Sequence, residues 1–305
     1  MTTLDLTASH TAVAYQGNHV RLFLVGVGGT GSLAAFPLIQ MVRRFNQRWN
    51  QAMHPRDASL TLVDYDLVEP KNVEARQHFY PFEVGAPKAQ VLANRLRLGF
   101  TLKRNEIHAK VMAFSPNLLP LAEADTLIIL IGCVDNPEAR QCLAHCLENQ
   151  PAPSRIWWVD AGNENDYGQV YSGNTAQLAD LRGSLASTPC QLLPSPALLA
   201  PALVKSAPAA AHTVRSFACG DIQITEAAQS GTINLHMAGL VVHYVAQLLE
   251  GSLSAFATYT TLRAAGTGVP ETRSEPITAL GLARALGQKK PEAFARSLLV
   301  PASAS

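Results

Sequence analysis

RLFLVGVGGTGS (Arg21–Ser32), LTLVDYDLVEPKNVEARQHF (Leu60–Phe79) and VGAPKAQ (Val84–Gln90) decide how this chain folds. Leu22 to Val25 is a short apolar run without a period, the mark of a strand covered on both faces. Gly26, Gly28, Gly29 and Gly31 follow it at once, so the chain can turn sharply and bring backbone N–H groups close to a ligand. Ser32 to Arg44 then has helical spacing, with Leu33, Phe36 and Ile39 read as inward-facing. The start of such a helix offers bare amides and a positive dipole end, which favour phosphate.

Leu60 to Val63 reads as a second buried strand, ending at Asp64 with Asp66 two positions on. An acid at this place suits ribose hydroxyls, and the two carboxylates remain alternatives for that role. The polar stretch FNQRWNQAMHPRD between first helix and second strand puts the acids later than in a dinucleotide fold. Asn72, Arg76, Gln77 and Lys88 then supply amide, guanidinium and ammonium groups. A planar guanidinium fork and an ammonium point charge both suit phosphate oxygens that gain charge during a transfer. Taken singly, each of these residues is better read as part of a solvated surface loop; the set in this order is not.

Gly-x-Gly-Gly-x-Gly, Asp64-x-Asp66-x-Val68, Asn72 with Arg76-Gln77, and Gly85-x-Pro87-Lys88-Ala89 together resemble the ThiF/MoeB family. These are ATP-dependent adenylyltransferases related to ubiquitin-activating enzymes. The motif match runs over residues 21–175. The family usually has two residues between the Asn and the Arg-Gln pair; this chain has Val73, Glu74 and Ala75. DAGNENDYGQV (Asp160–Val170) and the later SFACGDIQITEAAQSG resemble one branch, the ThiF-related proteins of PRTRC plasmid cassettes.

The resemblance implies an α/β, Rossmann-like, mostly parallel helix-flanked sheet with an antiparallel extension. It also implies ATP and Mg²⁺ as cofactors, and a small ubiquitin-like or sulfur-carrier protein with a C-terminal glycine as partner. Relatives are homodimers. Under this reading Gly26, Gly28, Gly29 and Gly31 shape the turn beneath the nucleotide, and Asp64 or Asp66 holds the ribose. Asn72, Arg76 and Lys88 stabilise charge as pyrophosphate leaves. Asp135, at the carboxyl end of a fourth strand (Thr126–Ile131), holds Mg²⁺. Locally, Asp135 and Asn136 also read as a helix cap before Pro137, and both readings hold if Asn136 caps while Asp135 faces the metal.

The other segments are read from pattern. Residues 1–20 form an N-terminal arm, 21–175 the ATP-binding domain, and 176–265 a crossover, a buried helix and a late strand. Residues 266–305 form a peripheral tail. Gly183 to His212 is rich in Pro, Ala and Ser, and such a long connection is usually functional or mobile. Cys190 within it and Cys219 beyond it are both candidates for a reacting thiol, as in relatives that form a thioester or persulfide. Cys142, His145 and Cys146 share a helix, but no CxxC pair exists, so no zinc is expected. Thr232 to Leu249 is apolar nearly all round, a helix buried within one chain or between two.

The chain has 305 residues, 48% of them hydrophobic and 15% charged, which fits a globular protein with ample core. A net charge of +1 gives no electrostatic case for nucleic acid or a membrane surface. No uninterrupted apolar run reaches the roughly 18 residues of a membrane helix. Five cysteines without paired spacing suit a reducing cytoplasm. Two further readings stay open: a nucleotide-binding scaffold subunit without turnover, and an NAD-dependent oxidoreductase. The second is the weakest, because hydride transfer has no use for Arg76, Lys88 and Asp135.

Overall fold

A computed structural model describes residues 4–49, 56–73, 77–121, 123, 125–150, 154–164, 166–205, 231–262 and 269–300. Arg76 and Cys219 lie outside the described residues. The strands are β1 (His19–Val25), β2 (Asp57–Val63), β3 (Ile107–Lys110), β4 (Thr126–Gly132), β5 (Ile156–Asn163), β6 (Tyr167–Gly173), β7 (Ala255–Thr261) and β8 (Glu271–Pro276). The helices are α1 (Gly29–Trp49), α2 (Pro70–Val73), α3 (Lys88–Phe100), α4 (Pro137–Glu148), α5 (Pro196–Leu199), α6 (Gly231–Glu250), α7 (Ala279–Ala285) and α8 (Pro291–Leu299).

Among the described residues the strands form one sheet in the order β3-β2-β1-β4-β5-β6-β7-β8. β1 to β5 run parallel, and β6, β7 and β8 add antiparallel ribbons at one side. This is the Rossmann-like sheet with an antiparallel extension. β1, β4 and β5 are apolar without alternation because helices cover both faces. Trp157 and Trp158 show the pleat directly: both are fully buried, one in each of the two apolar clusters flanking the sheet. α1, α3 and α6 supply one cluster and α4 the other.

The register positions the site. Val25 pairs with Val63 on one side and with Gly132 on the other. Gly26, Asp64 and Cys133 therefore leave the sheet at one level. The strand order reverses direction between β1 and β4, the place where open α/β sheets bind ligands.

α1 is longer than its sequence pattern shows and passes through Pro37. It buries Ala34, Ala35, Leu38, Ile39 and Val42, while Phe36 turns outward and packs on Phe100 with ring centroids 5.1 Å apart. The expected loose arm is tied down. His10, Ala12 and Ala14 donate backbone hydrogen bonds to Ile277, Leu253 and Leu248. The expected peripheral tail is also part of the core: β8 edges the sheet, and Ile277, Leu282, Ala283, Ala295 and Leu298 are buried. Both ends of the chain cover the same apolar surface, which neither could do alone. α6 is long and apolar enough for a membrane crossing by composition, yet it buries Ile233, Met237, Val241, Tyr244 and Leu248 against α1, β5 and β6 as a core helix does.

Candidate nucleotide and acyl-substrate site

A cavity of about 1130 Å³ opens above the carboxyl ends of β1, β2, β4 and β5. That exceeds the roughly 300–1,000 Å³ of an ordinary small-ligand pocket, so a nucleotide leaves room for a second reactant. Gly26, Gly28, Gly29, Asp64, Asp66, Lys88 and Asp135 all line it.

The glycine turn is held from three sides. Gly26 has φ +86°, and a Cβ there would stand 2.5 Å from the Cys133 carbonyl oxygen. A Cβ on Gly31 would stand 1.9 Å from the Gly26 carbonyl oxygen, so the first turn of α1 rests on the backbone it has just left. Gly29 is packed against Asn234 of α6. Gly28 is different: its Cβ position meets nothing closer than 3.9 Å and faces the cavity.

The two acids of β2's end divide their work. Asp64 is buried, accepting from the Val27 N–H (2.7 Å) at one oxygen and the Asp66 N–H (2.8 Å) at the other. Burial raises its pKa, against those two hydrogen bonds, which lower it. Asp64 is thus a clamp on the glycine turn with both oxygens engaged by backbone. Asp66 is half exposed, and its carboxylate receives Lys88 Nζ at 3.1 Å. Lys88 opens α3 after Pro87, with its stem buried and its backbone N–H donated to the Asp66 carbonyl. Asp135 is exposed, has no protein partner among the described residues and sits beside Asn136, whose side chain accepts from Ala139 N–H at 2.8 Å as the cap of α4.

Two candidates fall elsewhere. Asn72 is buried beside the cavity but does not line it; its side-chain oxygen accepts the Glu69 N–H at 2.8 Å, closing a turn of its own. Cys190 is fully buried, and burial pushes its thiol up to about 12. Its backbone joins the arm at Thr11 and Val13, so it is a core residue here and not an accessible nucleophile. The reason is tertiary: the Pro-rich stretch up to Lys205 is ordered by the N-terminal arm and α8.

The structure also reveals pairings that sequence reading did not reach, two of them through Asp160 and Asn163, which by pattern only mark a turn. Arg140 of α4 and Asp160 of β5 form a buried ion pair, Nε to Oδ2 at 3.1 Å, and burial pushes the Asp160 carboxyl up to about 6. A charged residue on the apolar face of a helix and another inside IWWVDAG were the visible signals. Asp160→Asn or Arg140→Met is each expected to lower stability by about 3–5 kcal/mol, because each strands a buried charge or donor. The double variant should cost clearly less than the sum in urea unfolding; strict additivity would show that the two do not act as a pair. Thr30, Asn163 and Asn234 form a second network, Thr30 Oγ1 donating to Asn163 (3.1 Å) and Asn163 Nδ2 to Asn234 (2.9 Å). It ties α1, β5 and α6 together behind the turn.

The ThiF family model matches residues 9–274, most of the chain. The chain belongs to the ThiF family. The cavity and the strands β6 and β7 of the antiparallel extension lie within the matched residues. Similar solved structures include PaaA, at 19% identity over 87% of this chain and 65% of that one, with a TM-score of 0.48. They also include E. coli MccB with succinimide, at 14% identity over 85% and 64% and a TM-score of 0.48. A third is E. coli MccB with AMPCPP and MccA, at 15% identity over 87% and 65% and a TM-score of 0.47. The chain thus spans about 65% of the length of these proteins. No curated protein matches.

Proposed function

We propose that this ThiF-family chain is an ATP-dependent adenylyltransferase. It activates the C-terminal carboxylate of a small ubiquitin-like or sulfur-carrier protein as an acyl-adenylate and releases pyrophosphate. One observation supports this above the rest: the glycine turn, the Asp66–Lys88 pair and the unpartnered Asp135 share one cavity at the strand-order reversal. A homodimer in the cytoplasm, working with a partner from the PRTRC type of cassette, completes the proposal.

The chemistry follows from placement. One carboxylate oxygen of the carrier attacks the α-phosphorus, the bond from that phosphorus to the bridging oxygen breaks, and pyrophosphate leaves with the electron pair. No general base is needed, because a carboxylate is ionised at neutral pH. The chain's share is positioning and charge. The amides of Gly28 to Thr30 at the start of α1 cradle phosphate, Asp66 accepts ribose hydroxyls, and Lys88 moves its charge from Asp66 to the departing phosphates. The donor set fits Mg²⁺: Asp135 offers a free carboxylate beside the phosphate region, and Mg²⁺ takes few protein ligands when phosphates supply the others. Held there, Mg²⁺ would neutralise phosphate charge.

ATP–pyrophosphate exchange, run with the small proteins encoded beside this chain, tests the proposal. Exchange should appear with one of them, and Asp135→Ala should lower it by about 100-fold or more without moving the melting temperature. ATP binding without exchange for any carrier would favour the scaffold reading instead.

A further inference from the structure

The cavity extends past Asp135 to a stretch that the nucleotide reading leaves unused. Gly162 at the end of β5 stands opposite Gln169 of β6 in the antiparallel register. Because Gly162 has no side chain, two donors lean over it. Its Cβ position lies 2.5 Å from Gln169 Nε2 and 3.4 Å from Arg140 Nη2. Among the described residues the Gln169 amide has no hydrogen-bond partner. Arg140 is only 8% exposed, donates Nε to Asp160 and Nη2 to the Ala161 carbonyl, and among the described residues leaves Nη1 without a partner while lining the cavity.

The Nη1 edge is not sealed inside the protein but opens on the cavity, where a ligand can accept its N–H groups. Asp160 already balances its charge, so what remains is a pair of directed donors rather than net attraction. Such a pair, an amide seated in the room that Gly162 leaves and a guanidinium edge beside it, matches the two oxygens of one carboxylate.

We infer that Arg140 and Gln169 form the subsite that holds the terminal carboxylate of the acyl substrate, with Gly162 making room for the Gln169 amide. This rests on the adenylation reading and names the residues that would hold its second reactant. The subsite takes the oxygen that does not attack and keeps the other turned toward the α-phosphate. Directed hydrogen bonds, not net charge, hold the carboxylate there. Gln169 contacts substrate in this scheme, and Asp160 acts through Arg140 as a positioning residue.

The full chain, saturated with AMPCPP and Mg²⁺, is titrated with N-acetylglycylglycine and separately with its C-terminal amide. The guanidinium and side-chain amide NMR signals are followed, with Arg140→Lys and Gln169→Leu used for assignment. The carboxylate probe should shift the Arg140 and Gln169 signals saturably, and the amide probe should not. Gln169→Leu should raise the Kd of the carboxylate probe about three- to tenfold while leaving the Kd of AMPCPP within about twofold. The inference is overturned by equal shifts from both probes, by no shift, or by a change in probe Kd under about threefold. Failure of AMPCPP itself to bind would remove the nucleotide reading as well. Bound AMPCPP with no carboxylate-specific shift would remove this subsite alone.

Discussion

Lys88→Ala is expected to cut ATP–pyrophosphate exchange by about 100- to 1,000-fold, the usual cost of removing one preorganised donor from a site where charge develops. Lys88 suits that cost because its stem is buried while its amine lines the cavity. Its charge cannot be replaced by a water molecule or by a neighbouring flexible lysine without reorganisation. The stability cost should come from packing more than from the ion pair. Its partner Asp66 is half exposed, so losing the ion pair removes at most about 1 kcal/mol and leaves Asp66 hydrated rather than stranded, and the buried stem adds about 1–3 kcal/mol of lost packing. Exchange kinetics set beside a thermal melt separate the two effects. Lys88→Arg should recover only part of the rate, since a broad planar fork with delocalised charge cannot put that charge where the compact ammonium sits. Exchange within tenfold of the unmodified chain in Lys88→Ala would remove Lys88 from the chemistry.

The parts of this site that sequence reading reached are those specified by neighbours along the chain. The strand before Gly26, the helix after it, the acid at Asp64 and the cap at Asn136 each depend on a few adjacent residues. What escaped depends on contacts between distant segments. Arg140 and Asp160 are 20 positions apart and look like two unrelated charges until α4 is laid on β5. Cys190 sits in a stretch whose composition resembles a loose loop, but Thr11 and Val13 bind its backbone from the other end of the chain. Asn72 resembled a phosphate ligand because asparagine is equally able to close a local turn, and the Glu69 N–H takes its oxygen. Asp64 carried a ribose role by pattern. Only the register, which brings Val27 N–H within 2.7 Å of its carboxylate, shows that its oxygens already have work in the turn.

Two alanines placed three residues apart in the glycine turn should fail in different ways. In Gly31→Ala the new methyl would meet a backbone oxygen at 1.9 Å, with the Cys133 side chain at 3.4 Å behind it. Neither β1 nor α1 can retreat, because β1 is bonded on both sides and α1 is packed on α6. The loss should be on the order of 3 kcal/mol or more, at the upper end for overpacking, since the obstacle is main chain and not a side chain that could change rotamer. In Gly28→Ala the methyl meets nothing within 3.9 Å and points into the cavity. Stability should change by less than about 0.5 kcal/mol, while ATP affinity falls by about tenfold or more, because the methyl occupies the space through which phosphate approaches the amides. Urea unfolding and ATP titration of both variants make the comparison. A Gly28→Ala chain that binds ATP normally would mean that the triphosphate lies elsewhere in the cavity. A Gly31→Ala chain of unchanged stability would mean that α1 does not rest on the turn as found.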